Sequence, residues 1–410
     1  MDKNSCNNVW MTTEPSRRHT ETHPWLTFEF DLGRLSYDIW LLLGEAESKC
    51  QHLAWTPLAP DVAARLHQIY LSKGVHGTTA IEGNTLSEDA VHGRVAGSLA
   101  LPASQEYLGR EIDNIVAACN EIVARTLSGQ AEGISAARIK EYNRAILDGL
   151  PRKPEVEPGA LREHSVTVGL SSYRGAPAED LGFLLGRLAD WLNGMSAPEG
   201  RPELRFPIGV LKAVLAHLYL AWIHPFGDGN GRTARLVEFQ LMVEAGAPVP
   251  AAHLFSDHYN KTRGVYLIEL DRTSAASGFP VNGFIRYALE GFVDGLREQI
   301  DLVQAQQMAV AWINYIHDQF HDQDTPAPRR QRHLMLDFPV GQVVPRAKIP
   351  EISTRMARHY ARAGERTLTR DLNALVAKGL LAKVGRGYRA RQEIMFAFLP
   401  ATRSGQAGQQ

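Results

Sequence analysis

His224-Pro225-Phe226-Gly227-Asp228-Gly229-Asn230-Gly231-Arg232, with Arg235 one turn further on, is the stretch on which the reading of this 410-residue chain turns. Upstream of it, Phe206 to Trp222 is almost wholly apolar, with leucines, alanines and valines at helical spacing, which predicts a buried helix that delivers His224 at its end. Pro225 stops that helix. Gly227 to Gly231 contains three glycines and an asparagine, residues that take positive φ and turn several N–H groups toward one point. Helical periodicity resumes from Thr233 to Ala245, so the glycine run sits at a helix N-terminus, where unpaired N–H groups and the helix dipole both favour phosphate.

The side chains of the stretch suit the same ligand. Arg232 and Arg235 are three apart, share a helix face and would reach one polyphosphate. Asp228 is a hard oxygen ligand suited to Mg²⁺, which bridges phosphates and needs few protein donors. His224, at the rim, can hold or release a proton near neutral pH. A helix-end histidine or a Gly-Asn-Gly turn is ordinary when alone; together with an acid and two arginines in the window 224–235 they predict a phosphate site. An EF-hand is excluded, because Gly231 at loop position six would put Phe226 and Val237 where carboxylates are needed. The chain also has no GxxxxGK[ST] run and so no P-loop.

The stretch HPFGDGNGR followed by Arg235 resembles the signature of the Fic family, without a departure over its nine residues. The resemblance implies a mainly α fold: a Fic-type helical core with a short β-hairpin flap, followed here by a small winged-helix α+β domain. It implies an enzyme that binds ATP with Mg²⁺ as cofactor and transfers AMP to a Tyr, Thr or Ser hydroxyl of a protein target, itself included. On that pattern His224 is the general base and Asp228 holds the metal against the α- and β-phosphates. Gly227, Asn230 and the Gly229 and Gly231 backbone grip phosphate, Arg232 and Arg235 pair with the β/γ end, and Phe226 anchors the loop. Thr78 to Asn84, with the sequence Thr-Thr-Ala-Ile-Glu-Gly-Asn, is similar to the family's inhibitory motif. Read alone, Glu82 is an exposed acid at a helix end. By resemblance it pairs with Arg235 where the γ-phosphate must sit, steadied by Thr78. Removal of AMP by the same site is the neighbouring alternative; relatives that transfer phosphate or phosphocholine usually depart from this motif, and here it shows no departure.

Composition bounds the rest. With 44% hydrophobic and 22% charged residues the chain is ordinary for a soluble protein of two or three domains. Three cysteines, Cys6, Cys50 and Cys119, are too few and too scattered for a disulfide framework or a zinc site, so a reducing, cytoplasmic location is expected. The N-terminus lacks the apolar core of a signal peptide, and no apolar run is read as reaching the ~18 residues of a membrane span, so no membrane partner is expected. The net charge of −1 hides an asymmetry: residues 329–410 carry 16 Lys/Arg against 5 Asp/Glu, leaving 28 against 40 before them. A basic C-terminal module favours DNA as a partner, although a basic face can equally be solvated or contact an acidic protein.

In chain order, residues 1–24 read as a flexible tail and 25–104 as an N-terminal helical region with helices at Tyr37 to Cys50 and Pro60 to Ser72. The catalytic core is expected over 105–310, with helices from Gln105 to Arg125, Ile134 to Leu147, Ala178 to Leu192 and Phe284 to Gln307. Within it, His164 to Gly169 reads as a hairpin edge. By resemblance its Val166, Thr167 and Val168 are the flap that docks an extended target segment. Asn260, on a helical stretch from His253 to Leu270 that also carries Tyr259, Arg263 and Tyr266, is placed where the family lines the nucleotide pocket; core packing explains it as well. Residues 311–332 read as a linker and 401–410 as a tail. Residues 333–400, with helices ending at Tyr360 and Lys378 and strands around Leu380 to Arg389 and Ile394 to Leu399, resemble a winged helix-turn-helix module. In its usual docking mode Arg366, Thr369, Arg370 and Asn373 face the major groove, and Arg386, Arg389 and Arg391 touch phosphate; a protein-contact or dimerisation role, including a homodimer, stands beside that one. Against the enzyme reading stands a DNA-binding transcriptional regulator that uses the nucleotide site as a sensor.

Overall fold

The computed structural model describes residues 17–130, 132–167, 173–275 and 281–396. The chain divides into two compact units, residues 1–300 and 301–410. In the first, α1 (His19–Thr22), α2 (Tyr37–Trp55), α3 (Pro60–Ile81) and α4 (Glu88–Val95) precede α5 (Glu106–Leu127), α6 (Ala136–Ile146) and α7 (Leu181–Gly194). Then come α8 (Arg205–Ile223), α9 (Asn230–Glu244), α10 (Val249–Ala252), α11 (Leu254–Lys261), α12 (Arg263–Ala275) and α13 (Asn282–Gln319), whose residues from Asp301 on belong to the second unit. The second unit continues with α14 (Pro326–Asp337), β1 (Val344–Pro345), α15 (Thr354–Ala363), α16 (Glu365–Ala377), β2 (Leu381–Val384) and β3 (Gly387–Ala390).

The first unit is wrapped around α8. This helix is apolar on every side because it is buried on every side, with Val210, Leu211, Val214, Leu215, Leu218 and Ile223 fully enclosed. It packs along α9, and α2, α7 and α12 also lie against it. The segment Pro202–Ile223 is long and apolar enough to cross a membrane, with 83% of its most apolar window buried inside the protein. The expectation that no apolar run reaches that length is therefore corrected: such a run exists, and it forms the core of the bundle.

Helix α3 runs through Ser72 to Ile81, past the end expected from the sequence. Gly74 and Gly77, which look like helix breakers, are there for close packing: a Cβ at Gly74 would lie 2.6 Å from His253 and one at Gly77 2.5 Å from the Ser256 carbonyl oxygen. Their absent side chains let α11 approach α3 closely. The stretch His253 to Leu270 is broken at Thr262, which caps α11.

Residues 17–24 are not a loose tail. The His19 amide and its Nδ1 both meet the Asp180 carboxylate, at 2.7 and 3.0 Å, and His23 Nε2 meets the Arg174 carbonyl at 2.9 Å. Buried histidines with partners hold this segment down.

The second unit has its own core, in which Trp312, Ile316, Phe320, Leu334, Met356, Leu368, Leu372 and Leu381 pack together. The expected linker at 311–332 is accordingly largely helical: Trp312, Ile316 and Phe320 recur every four residues, and Pro326 takes a first-turn position of α14, where its missing N–H costs nothing. The sheet is antiparallel in the order β1-β3-β2, with Lys383 opposite Tyr388 and Val344 opposite Tyr388 on the other edge. Strand β1 had no counterpart in the sequence reading because it is two residues long. The last expected strand is corrected: Gln392–Met395 is a 3₁₀ turn, and residues 397–399 lie outside the described part. The helix expected from Lys348 to Tyr360 is split into a 3₁₀ turn, Arg346–Glu351, and α15, because the Ser353 side chain caps the latter. Asp371, buried in this core, is satisfied by Arg330, Gln331 and the Tyr360 hydroxyl.

Candidate active site

The loop between α8 and α9 is built by polar contacts to its own backbone. His224 closes α8 through its N–H to Leu220 O, 3.0 Å, and takes a left-handed conformation, φ 49° and ψ 60°, that points the chain into Pro225. Few non-glycine residues adopt it. Arg162 holds this strained end: its Nε donates to His224 O at 2.8 Å, Nη1 to His164 O at 2.6 Å and Nη2 to Ala176 O at 2.5 Å, while its amide donates to Pro225 O. One buried guanidinium thus joins the helix end to the arms of the following hairpin.

Asn230 staples the loop across its base. Its Oδ1 accepts the Phe226 N–H and its Nδ2 donates to the Phe226 carbonyl, both at 2.8 Å. Both ends of the Asn230 side chain thus hold the loop, a role beyond the phosphate contact that the resemblance assigns to Asn230. Phe226 is not a ligand-contacting side chain; it is 1% exposed, in the core. Gly229 takes φ 75° and starts α9, and the Asn143 amide donates to Asp228 O, 2.9 Å, from a fully buried position behind the turn.

Three ion pairs fix the arginines. Arg232 Nη1 donates to Glu111 Oε1 at 2.5 Å and Nη2 to Asp228 Oδ1 at 3.0 Å. Glu111 is itself held by Asn84 Nδ2, 2.8 Å, so the Asn of the Glu-Gly-Asn run anchors the carboxylate that anchors Arg232. Arg235 donates from Nε to Thr78 Oγ1 at 2.7 Å, and from Nη2 to Thr78 O at 3.0 Å and Glu82 Oε1 at 2.6 Å. Thr78 therefore steadies Arg235, whereas the sequence reading had it steady Glu82 directly. Glu82, the C-cap of α3, lies against Gly231 in the first turn of α9, and a Cβ on that glycine would have no room beside its carboxylate. An anion is thus already held where the glycine run opens the helix N-terminus.

Donors remain for a further anion. Arg232 Nε and Arg235 Nη1 are buried without a hydrogen-bond partner. Unpaired buried guanidinium N–H groups beside a helix N-terminus are what a phosphate oxygen would satisfy. Asp228 sits at the rim with its side chain half exposed. One carboxylate at the edge of a phosphate cradle fits Mg²⁺, which takes one or two protein carboxylates and completes its shell with phosphate oxygens and water. Among the described residues no cluster of three or more His, Cys, Asp or Glu could hold a metal unaided.

Burial acts to raise the Glu82 carboxyl, but Arg235, then Arg232 and His224, overcome it and hold it below its usual range. Burial, with Arg162 beside it, pushes the His224 imidazole down to about 4, against the pull of the Ala221 carbonyl, Glu82 and Asp228. His224 is neutral at physiological pH, the form that can accept a proton. Behind the arginines lies a second polar cluster that the sequence reading missed: Glu238 takes His217 Nδ1 at 3.0 Å and the Tyr259 hydroxyl at 2.8 Å, and His217 Nε2 meets the Tyr266 hydroxyl at 2.9 Å. Tyr259 and Tyr266 thus serve this network, and Asn260 is half-buried on α11 beside it.

This geometry has known counterparts. Residues 133–242 match the profile of the Fic/DOC family. The chain is 32% identical over 174 residues to protein adenylyltransferase fic-1 of Caenorhabditis briggsae, covering 42% of this chain and 32% of that protein. It is 32% identical over 186 residues to protein adenylyltransferase Fic of Nematostella vectensis, covering 45% and 40%. The chain thus spans about a third of the length of the first relatives it matches. Among solved structures, a Fic family protein from Desulfovibrio desulfuricans G20 superposes with a TM-score of 0.52 over 86% of this chain and 95% of that one, at 18% identity. Fic-1 of C. elegans does so with a TM-score of 0.50 over 66% and 74%, at 24% identity. These likenesses show that the first unit is a Fic fold.

Away from this loop, where a hairpin edge was expected over His164 to Gly169, an antiparallel bridge pairs Thr167 with Arg174, and Gly175 N donates to Val166 O at 3.1 Å; Val168 lies outside the described residues. In the second unit Arg366, Thr369, Arg370 and Asn373 are exposed on α16, opposite buried Leu368, Leu372 and Leu375, and Arg386 is exposed in the β2–β3 turn. Arg389 differs: it is half-buried and paired with Glu393 at 3.3 Å, a carboxylate that Arg391 also approaches at 3.5 Å, so these two arginines are already partly neutralised.

Proposed function

We propose that the protein is an adenylyltransferase that moves AMP from ATP to a Tyr, Thr or Ser hydroxyl of a protein and is restrained by its own Glu82. The observation that carries the reading is the pairing of buried Arg235 with Glu82 over the glycine-rich N-terminus of α9, beside guanidinium N–H groups left for a further anion. The family match and the named activity of the relatives support it.

On this reading the triphosphate lies over the α9 N-terminus, with Arg232 and Arg235 on its β/γ end. Asp228 holds Mg²⁺, whose charge eases departure of pyrophosphate. His224 accepts the proton of the target hydroxyl as its oxygen bonds to the α-phosphorus and the bond to the β-phosphate oxygen breaks. Positioning and charge stabilisation do most of the work in such an in-line transfer. Glu82 occupies part of the anion site, so a γ-phosphate meets a carboxylate where it needs an arginine. The hairpin at Thr167 and Arg174 offers an edge on which an extended target segment can pair.

The order of the second unit, helix, short strand, two helices and a hairpin, supports a winged helix-turn-helix module. Its exposed Arg366, Arg370 and Arg386 support DNA as its ligand. For the enzyme, the test is label transfer with Mg²⁺: label in the α-phosphate of ATP should appear covalently on protein while label in the γ-phosphate should not. Transfer of γ label instead would replace AMP transfer by phosphoryl transfer.

A further inference from the structure

In an antiparallel pair, the residues opposite one another either exchange both backbone hydrogen bonds or turn their N–H and C=O groups outward from the pair. Thr167 and Arg174 are opposite, and the bond beside them joins Gly175 N to Val166 O. They are therefore the outward kind. The backbone groups of Thr167 face one edge of the hairpin and those of Arg174 face the other.

The Arg174 edge is capped. Its outward carbonyl accepts a hydrogen bond from His23 Nε2 at 2.9 Å, and His23 is buried. A carbonyl can only accept, so Nε2 carries the proton and Nδ1 takes the Thr22 hydroxyl, 2.8 Å away. The segment that carries His23 is strapped to the bundle: His19 is bonded twice to Asp180, and the Arg17 guanidinium lies 3.8 Å over the Phe183 ring. The rings of His23 and Trp25 lie 4.9 Å apart and that of Tyr173 6.0 Å from Trp25. The Tyr173 hydroxyl donates to Trp222 O at 2.8 Å, two residues before His224.

We infer that His23 is a positioning residue for the protein substrate. It closes the Arg174 edge, so that an extended polypeptide can add only at the exposed Thr167 edge, and through Tyr173 it keeps that edge in register with His224. The inference rests on the reading of the hairpin as the place where the target docks.

The Arg174–Gly175 bond, whose carbonyl His23 caps, is a trypsin site. Limited trypsinolysis of the folded full chain, read by fragment mass, compares wild type, His23→Ala and His23→Gln, whose amide N–H can replace Nε2–H. Loss of one buried hydrogen bond predicts cleavage at Arg174 about tenfold faster in His23→Ala, with His23→Gln close to wild type. Equal rates in all three overturn the cap. Faster cleavage throughout the chain, the same in both variants, also overturns it. In a Glu82→Gly background, His23→Ala should lower transfer of α-labelled AMP to the proteins of a cell lysate about tenfold, with KM for ATP unchanged and activity restored by His23→Gln. Undiminished transfer, or a raised KM for ATP, overturns the positioning role. If Glu82→Gly itself transfers nothing, the adenylyltransferase reading falls, while the trypsin comparison still decides whether His23 caps the hairpin.

Discussion

Glu82 Oε1 lies 2.6 Å from Arg235 Nη2, and the arginine that it neutralises is buried beside the glycine-rich N-terminus of α9. On the function proposed above, the same carboxylate neutralises Arg235 and competes with a phosphate for it.

The pairing separates stability from nucleotide response. Glu82→Gly leaves a buried guanidinium without its counter-charge, a cost of about 2 kcal/mol. The melting temperature should fall by about 3 °C, from an unfolding entropy of about 2.1 cal/mol/K per residue over a unit of 300 residues. ATP with Mg²⁺ should then raise the melting temperature of Glu82→Gly more than that of wild type, because phosphate replaces the carboxylate. An unchanged melting temperature together with an equal ATP response would show that Glu82 does not hold Arg235 in solution.

Glu111 should matter as much as the residues of the loop itself. Both side chains of the Glu111–Arg232 pair are buried, and removing one partner of such a pair costs about 3 kcal/mol. Urea denaturation of Glu111→Ala should show that loss, and nucleotide binding should weaken because Arg232 is no longer aimed. A change below about 1 kcal/mol would contradict the placement.

The buried histidines set an acid limit. Burial pushes His253 down to about 3, with His67 adding to the effect, and His224 to about 4. An unfolded chain protonates these groups near pH 6.5, well before the folded one does. Their contribution to stability is thus intact above pH 6.5 and is lost as pH falls toward the folded values. Between pH 6.5 and 5 one such group costs about 2 kcal/mol. His253→Asn should be less stable at neutral pH, yet lose about 2 kcal/mol less than wild type over that interval in urea titrations. Parallel losses would show that His253 titrates normally.

What the sequence disclosed and what it withheld divide along physical lines. The loop from His224 to Arg235 was legible because its chemistry is local: glycines, an acid and arginines at fixed spacing announce a cradle. The direction of each side chain was not. Asn230 is also a staple of the loop, which its residue type did not announce because it does not say which nearby backbone the side chain meets. Glu111 left a signal that went unused, a carboxylate within the apolar stripe of Leu108, Ile112, Ile115 and Cys119. Gly74 and Gly77 look like breakers until the helix they admit is in place. Trp312, Ile316 and Phe320 were lost to the polar average of the residues around them, which read as a linker. Arg162 could not be singled out, since its partners are carbonyls brought from two distant segments.

The basic face of the second unit makes a separate claim. If it docks on DNA, Arg366→Glu with Arg370→Glu in the full chain should weaken binding to duplex DNA about tenfold or more and flatten its salt dependence, because fewer counterions are released. Binding that keeps its salt slope would move the DNA contact elsewhere.

The central claim is tested most directly by transfer of label from α-labelled ATP with Mg²⁺ to the chain itself and to lysate protein, in wild type, Glu82→Gly and Glu82→Gly with His224→Ala. Release of a charged hydrogen bond from the phosphate site predicts labelling about ten- to a hundredfold stronger in Glu82→Gly than in wild type, and none above background in the double variant. Equal labelling by wild type and Glu82→Gly, or undiminished labelling without His224, would contradict the account.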